Sequence, residues 1–273
     1  MATTDHSELL AQLTSGIAAL TSSKSWSRHL DYQSRFHGYS FSNVVLIASQ
    51  RSDATKVAGF RTWKRLDRSV RKGEKAIWVL APMMAKRADD DAVAEEKVIR
   101  GFKYVPVFDI SQTEGEDMPD ICHRLVGDDP KAYFSRLIPV AQSFGYGVEL
   151  TRLPEGVNGD CTFTLRRIRV EERNSPAQRV KSLIHEIAHA LLHERQIDRS
   201  LAELEAESTA YVVCRSLGME TDAYSFGYVA TWAGGGDAAI AGIRSSCAAI
   251  QRTASFVLAS LETAPEGTVS AVA

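Results

Sequence analysis

The sequence predicts an α+β protein of two domains, each with a small sheet. In the first part, helical patterns precede two strand patterns that flank a polar run. Near Pro130 the pattern restarts, and helical periodicity then dominates over three short strand patterns. We therefore predict an α+β domain over residues 1–122 and a mainly helical domain over residues 123–262. Residues 263–273 are expected to form a disordered tail.

The first domain begins with helices and continues with two strands. Its predicted elements are helices over 8–22, 26–35 and 44–47, a helical turn over 61–66, and strands over 76–80 and 102–110. Ser42 and Asn43 offer oxygens that can cap the third helix, and Pro82 ends the first strand. The charged run Lys86–Glu96 has no periodicity, which predicts a hairpin tip or a mobile loop.

The second domain is mainly helical. Its predicted elements are a helix from 129–130, strands over 147–150, 162–165 and 167–170, and helices from 176, over 201–217 and over 238–261. Asn174 and Ser175 can cap the helix that begins at Pro176, where proline suits the first helical position. Gly218 ends the following helix.

Composition is typical of a globular protein, with 44% hydrophobic and 24% charged residues among 273. The formal charge of −2 identifies no class of partner. No C-x-x-C pair occurs among the four cysteines, which argues against a cysteine zinc site or a disulfide framework: Cys122, Cys161, Cys214 and Cys247. The N-terminus lacks a signal-peptide pattern and no window is apolar enough to span a membrane, so we expect a cytoplasmic chain without a membrane partner.

The segment His185-Glu186-Ile187-Ala188-His189 is an H-E-x-x-H motif within the predicted helix from Pro176. Residues four apart share one helical face, so both imidazoles can reach one ion. Glu186 projects beside that ion, where its carboxylate can take a proton from water. The pattern predicts a catalytic zinc site of the peptidase type, with Zn²⁺ as the cofactor.

A third ligand is expected on the next helix, where three glutamates compete. Glu203 and Glu207 lie four residues apart and share a face, whereas Glu205 is rotated by about 200° from Glu203. We interpret Glu203 as the third ligand, Glu207 as a carboxylate that supports a ligating histidine, and Glu205 as a surface residue.

Three further side chains near the motif are interpreted as structural. His193 continues the four-residue spacing, but about 12 Å of helix separates it from His185, too far for one shared ion. It is expected at the helix end, where its charge favours the negative end of the dipole. Tyr211 and Tyr228 could donate to an oxyanion, although such tyrosines are more often packing residues.

Basic residues cluster between Arg51 and Arg87, where eleven face only three acidic residues. Aromatic residues are interleaved, including Phe60, Trp63 and Trp78. Phosphate contacts and base stacking are what a single-strand binder needs, whereas in a structural interpretation the tryptophans are core and the lysines face solvent. The candidate DNA-binding residues are Arg61, Lys64, Arg65, Arg68, Arg71, Lys72 and Lys75.

Several segments together resemble a known family. They are 39–47, 57–63, 70–75 and 107–113 in the first domain, and 185–189 with 202–207 in the second. The first four resemble the N-terminal domain of ArdC-type antirestriction proteins of plasmids and phages. The last two are similar to the metallopeptidase-like domain of that family and of the ImmA/IrrE zinc peptidases.

The resemblance implies an N-terminal domain that binds single-stranded DNA and a zincin-like C-terminal domain that carries zinc. It also implies Glu203 as a ligand, because the family's glutamate lies in an E-x-x-A-E/D/N pattern that residues 203–207 match. It does not imply that the metal domain is an active peptidase.

Three functions are compatible with these observations. The first is an antirestriction-type protein of a mobile element that binds single-stranded DNA and carries a zinc peptidase site. The second is a regulatory peptidase that cleaves one host protein, such as a repressor or a restriction subunit. The third is a DNA-binding protein in which zinc is only structural. Glu186→Gln separates them, because it spares metal and DNA binding but abolishes a function that needs hydrolysis.

Overall fold

The computed structural model describes residues 6–20, 23–86, 97–115, 129, 131–195, 198–219 and 237–263. This described part is a mixture of helices and short-stranded sheets, which confirms the predicted α+β class. The chain forms two compact units: unit 1 comprises Met1–Gly16 and Ser42–Pro119, and unit 2 comprises Ile17–Phe41 and Asp120–Ala273. The predicted boundary at residue 122, the polar run from residue 87 and the tail from residue 264 lie outside the described residues.

The described helices agree closely in position with the helical patterns of the sequence. They are α1 His6–Ala18, α2 Ser23–Arg35, α3 Phe41–Gln50, α4 Phe60–Arg65, α5 Tyr133–Ser143, α6 Pro176–Leu192, α7 Arg199–Ser216 and α8 Asp237–Thr263. Within this part of the chain, no helix has the length and apolarity needed to cross a membrane.

The strands form two small sheets in unit 1 and one in unit 2. They are β1 Val57–Ala58, β2 Arg68–Val70, β3 Ile77–Lys86, β4 Lys97–Asp109, β5 Thr113–Gly115, β6 Gly147–Thr151, β7 Gly159–Thr162 and β8 Arg167–Glu171. The sheet orders are β1-β4-β3, β2-β5 and β6-β8-β7. In the last sheet β6 runs parallel to β8 and β7 runs antiparallel to it.

The predicted strand over 162–165 is wrong. The strand there is β7, which ends at Thr162, and residues Phe163–Leu165 form a short 3-10 helix. Thr162 pairs with Arg167 of β8, so the chain must reverse direction between these two residues. A strand that continued to Leu165 would leave only Arg166 to make the turn. In the structure the 3-10 helix and Arg166, which adopts the left-handed conformation, make the turn together.

In unit 1, two side-chain amides of α3 cover the free edge of β3. Asn43 donates to the carbonyl of Leu80 and accepts from its N–H, at 2.8 and 2.7 Å. Gln50 makes the same pair of bonds with Trp78, both at 2.9 Å. Residues seven apart share a helical face, and residues two apart share the hydrogen-bonding edge of a strand. The amides therefore satisfy backbone groups that would otherwise offer pairing to another strand.

In unit 2, α6 packs against the sheet on one side and against α5 and α7 on others, while α7 also contacts α2 and α8. The fully buried Trp26 of α2 belongs to this core, and its indole N–H donates to the Ser208 hydroxyl on α7 at 3.0 Å. The H-E-x-x-H helix is therefore held from several directions, which keeps its functional side chains in place.

Glu171 closes the end of β8, and its carboxylate accepts several hydrogen bonds there. Its carboxylate accepts from the N–H of Leu153 and from the backbone and guanidinium of Arg173, at 2.7 to 2.8 Å. The bonds from Arg173 are the main reason that its pKa falls from 4.5 to about 2. A lowered folded-state pKa contributes stability above about pH 4.5 that is lost as the pH falls toward 2.

Glu171→Gln is therefore expected to lower the free energy of unfolding at pH 7 and to flatten its dependence on pH between 5 and 2. Denaturant titrations of wild type and variant across that range provide the measurement. Glu155→Gln, at an exposed loop position, is the control and should follow the wild-type curve. The prediction would be contradicted if the difference in unfolding free energy between wild type and variant stayed constant with pH.

Candidate metal centre

The local sequence explains why α6 presents its motif where it does. Ser175 caps the helix, accepting from the N–H of Gln178 at 3.3 Å, and Pro176 opens it. The predicted apolar face is buried at Val180, Leu183, Ile184, Ile187 and Ala188. Burial of that face fixes the rotation of the helix, so that His185, Glu186 and His189 lie together along one cleft.

Three side chains converge as metal ligands would. His185 Nε2 lies 3.0 Å from His189 Nε2, and Glu203 Oε2 lies 3.4 and 3.7 Å from these two nitrogens. Tetrahedral bonds of about 2.0–2.1 Å place neighbouring donor atoms about 3.3 Å apart. Two imidazoles and one carboxylate at these separations fit a divalent ion, and His185, His189 and Glu203 form the cluster found among the described residues.

Glu207 lies one helical turn beyond Glu203 on α7. Its Oε2 is 3.2 Å from Nδ1 of His185, and its Oε1 is 2.8 Å from Nζ of Lys181. When Nε2 of His185 faces the ligand cluster, its Nδ1–H donates to this carboxylate and fixes the ring orientation. The contact with His185 is the one that the predicted supporting role of Glu207 requires, and that role remains a prediction.

Glu186 points its carboxylate into the same cleft, and its side chain is largely buried. Burial raises its pKa from 4.5 to about 7, with the negative charges of Glu203 and Asp160 adding to the effect. A carboxylate with this pKa can both accept and release a proton near neutral pH. Gly159 makes room for it, because a Cβ there would lie 2.9 Å from Oε1 of Glu186.

The ligand side chains have different proton affinities. Burial opposes the charged form of His185, but the hydrogen bonds that it donates to Glu203 and Glu207 outweigh burial and raise its pKa to about 9. Burial lowers the pKa of His189, and hydrogen bonds from the two histidines lower that of Glu203. Glu203 is therefore ionised at neutral pH, as a ligand must be.

The cleft runs to both sides of Glu186. One cavity of about 560 Å³ contains the three candidate ligands and is bordered by Asp160 and Cys161 of β7. A second cavity of about 390 Å³ lies beside Lys181, and both cavities share Gly159, His185 and Glu186. In the described sheet β7 is an edge strand, so the cleft is bordered by a strand with one unpaired side.

The predicted DNA-binding residues divide into two groups. Most have exposed side chains: Arg61, Lys64, Arg65, Arg71, Lys72 and Lys75. Arg68 is buried instead, and its guanidinium donates to Thr113 Oγ1 at 2.8 Å and to the Gly115 carbonyl at 3.3 Å across the β2–β5 pair. Arg68 therefore stabilises that pair rather than facing a ligand.

One side chain near the site contradicts its prediction. Glu205, expected on the surface, is buried and accepts from the Ser246 hydroxyl at 2.6 Å. His193 lies at the end of α6 as expected and is buried there. Tyr211 donates to Asp31 at 2.8 Å, and Tyr228 lies outside the described residues. The spacing of His193 after the motif was a signal for its position, whereas no pattern in the sequence indicates what Glu205 contacts.

Comparison with known proteins assigns both parts of the chain. The family model of the N-terminal domain of anti-restriction factor ArdC matches residues 5–108, and that of the IrrE N-terminal-like domain matches residues 142–214. The chain therefore carries an ArdC-type N-terminal domain followed by an IrrE-like domain. The second match contains the H-E-x-x-H motif and the glutamates of α7.

Solved structures show a similar fold. The antirestriction ArdC protein of the R388 plasmid matches with a TM-score of 0.50 in both its metal-free and its Mn(II)-bound crystal structures. Sequence identity is 23% and 24%, over 82% and 81% of this chain and 85% and 88% of those chains. At this identity the likeness shows the fold.

A curated relative is an uncharacterised protein of Bacillus anthracis, 28% identical over 249 residues. The alignment covers 74% of this chain but 42% of the relative, so this chain spans less than half of the length of that protein.

Proposed function

We propose that this chain is an antirestriction-type protein of a mobile element that acts in the host cytoplasm. Unit 1 binds single-stranded DNA, and the metal centre of unit 2 hydrolyses a peptide bond in a host protein. The observation that carries the hydrolytic part is the convergence of His185, His189 and Glu203 beside the buried Glu186. The match of residues 5–108 to the ArdC N-terminal domain supports the DNA-binding part.

In the proposed hydrolysis, the three ligands hold the metal and the carboxylate of Glu186 transfers the proton. Held by His185, His189 and Glu203, Zn²⁺ would supply Lewis acidity toward water and a scissile carbonyl. Glu186 takes a proton from the attacking water and returns it to the departing amine, so one carboxylate serves as base and then as acid.

An extended peptide fits the cleft better than a compact ligand. The two cavities meet at Gly159 and Glu186, so chain on either side of a scissile bond has space. The unpaired side of β7 offers backbone groups that an extended segment can pair with. A purely structural metal would need neither this open cleft nor a proton-accepting carboxylate within it.

The exposed part of the basic segment supports a DNA surface on unit 1. Arg61, Lys64 and Arg65 lie on the short helix α4, and the ring of Phe60 at its start is 55% exposed. Exposed cations beside an exposed ring allow phosphate contacts together with base stacking. The buried Trp63 packs in the core, donating to the Phe108 carbonyl at 2.8 Å, and is not available for stacking.

The triple variant Arg61→Ala/Lys64→Ala/Arg65→Ala is expected to weaken binding of an oligothymidylate. Loss of three phosphate contacts should reduce the slope of log K against log salt by about 2, because single strands contribute about 0.7 per contact. Fluorescence anisotropy over a salt series measures both affinity and slope, and a duplex of equal length tests the preference for single strands.

A matched control removes the same charge from unit 2. Lys131→Ala/Arg244→Ala/Arg252→Ala changes three exposed basic residues outside the proposed surface. It should bind as the wild type does. Equal weakening by both triple variants would show that net charge, and not the α4 surface, governs binding.

A further inference from the structure

A chain of buried hydrogen bonds extends from His189 through three helices. Nδ1 of His189 lies 2.9 Å from Nδ1 of His193, and Nε2 of His193 lies 3.1 Å from Oε2 of Glu205 on α7. The Ser246 hydroxyl of α8 donates to Oε1 of the same glutamate at 2.6 Å. His193, Glu205 and Ser246 are 4%, 8% and 3% exposed.

Proton positions along this chain follow from its chemistry. In the ligand cluster His189 presents Nε2, so its hydrogen resides on Nδ1 and is donated to His193. Nδ1 of His193 must then accept, which leaves its hydrogen on Nε2 to be donated to Glu205. The carboxylate of Glu205 accepts from His193 and from Ser246 and donates to neither. Every bond in the chain is satisfied by this one arrangement.

We propose that His193 and Glu205 are positioning residues that hold His189 in the Nδ1–H tautomer and in the orientation a metal ligand needs. The inference rests on the proposed metal centre and goes beyond its ligands. It also distinguishes the two ligating histidines. His185 contacts the carboxylate of Glu207 directly, whereas His189 reaches a carboxylate through a second imidazole.

Burial explains why the relay formed by His189, His193, Glu205 and Ser246 needs all of its members. An ionised carboxylate is costly away from water unless hydrogen bonds compensate, and Glu205 receives one from each neighbouring helix. The fixed negative charge favours a hydrogen on the facing nitrogen of His193, which leaves the other nitrogen free to accept from His189. A network that only satisfied buried groups would affect folding stability without affecting the metal.

Metal affinity distinguishes a network that positions His189 from one that only satisfies buried polar groups. The probe is Zn²⁺ in competition with a chromophoric chelator, measured on the full chain. Glu205→Gln and His193→Ala are expected to weaken Zn²⁺ binding by about 10- to 100-fold, the usual effect of losing a group that orients a ligand. His193→Asn should recover part of that loss, because its amide oxygen can still accept from His189.

Thr209→Val is the matched control, because it also removes a buried polar group from α7. Thr209 donates to the Glu205 backbone carbonyl at 2.8 Å and lies outside the relay. It should lower the melting temperature while leaving Zn²⁺ affinity at the wild-type value. Wild-type affinity in Glu205→Gln and His193→Ala would overturn the inference, whereas absence of Zn²⁺ binding by the wild type would overturn the proposed metal centre itself.

A second measurement needs no variant. Long-range ¹H–¹⁵N spectra of the zinc-loaded wild type report which ring nitrogen carries hydrogen. We expect Nδ1–H for His189 and Nε2–H for His193. The opposite tautomer at either residue would overturn the inference even if the relay variants failed to fold.

Discussion

Glu203→Ala is expected to abolish stoichiometric metal binding, with an affinity loss greater than about a hundredfold. Losing a group that only orients a ligand costs about 10- to 100-fold, and loss of one of three ligands exceeds that range. Side-chain removal should leave the fold intact, because the side chain of Glu203 is 52% exposed. Elemental analysis of protein purified without chelators measures the content, with His185→Ala as the companion variant.

Glu194→Ala provides the control, since this exposed glutamate lies just beyond α6 and pairs with Arg166 instead of a histidine. It should retain the wild-type metal content. Metal that survives Glu203→Ala would move the third ligand to Glu207, which already contacts His185. Glu205 is a poor substitute because His193 and Ser246 occupy its carboxylate.

The metal identity is decided by the same analysis. Two imidazoles and one carboxylate suit Zn²⁺, but imidazole also binds other first-row divalent ions. The R388 ArdC protein has been crystallised with Mn(II), which makes manganese the direct competitor to test. Zinc retained through extensive washing, with manganese lost, would support the zinc assignment.

Helical periodicity was sufficient to predict which candidate ligands share a face within α6 and within α7. His185 and His189 are four residues apart in α6, and Glu203 and Glu207 are four apart in α7. Because four residues make about one turn, each pair lies on one face of its helix. The same periodicity failed for Glu205. A rotation of about 200° places a residue on the opposite face, but only the tertiary structure shows that α8 covers that face.

The strands were less predictable than the helices. The strands β1, β2 and β5 have only two or three residues, too few for an alternating pattern to emerge. Strand β7 was misplaced because Gly159 and Asp160 have low strand propensity, while the following Phe163 and Leu165 are apolar. Pairing with β8 and the close contact of Gly159 with Glu186 override that propensity.

Sequence patterns also do not reveal which core a helix joins. The amphipathic pattern of α2 predicts a buried face, and Trp26 indeed has no exposed surface. Its partner Ser208 lies 182 positions further along the chain, and no local pattern encodes such a contact. The grouping of Ile17–Phe41 with unit 2 follows from contacts of this kind.

Glu186→Gln is expected to reduce peptide hydrolysis by about 10²- to 10⁴-fold while leaving metal content and DNA binding unchanged. The amide is nearly isosteric with the carboxylate but cannot take a proton from water. Glutamine also fits the space that Gly159 provides, so the fold should be preserved. Two measurements apply: cleavage of a fluorogenic peptide library, and protection of an entering plasmid in a restricting host.

Loss of both activities would make hydrolysis the basis of antirestriction and justify a search for the cleaved host protein. Protection equal to that of the wild type, with metal retained, would mean that the metal centre is structural and that DNA binding alone protects the plasmid. Glu194→Gln controls for the change of charge near the cleft. Gly159→Ala provides an independent check, because its Cβ would displace the carboxylate without removing it and should slow cleavage at unchanged metal content.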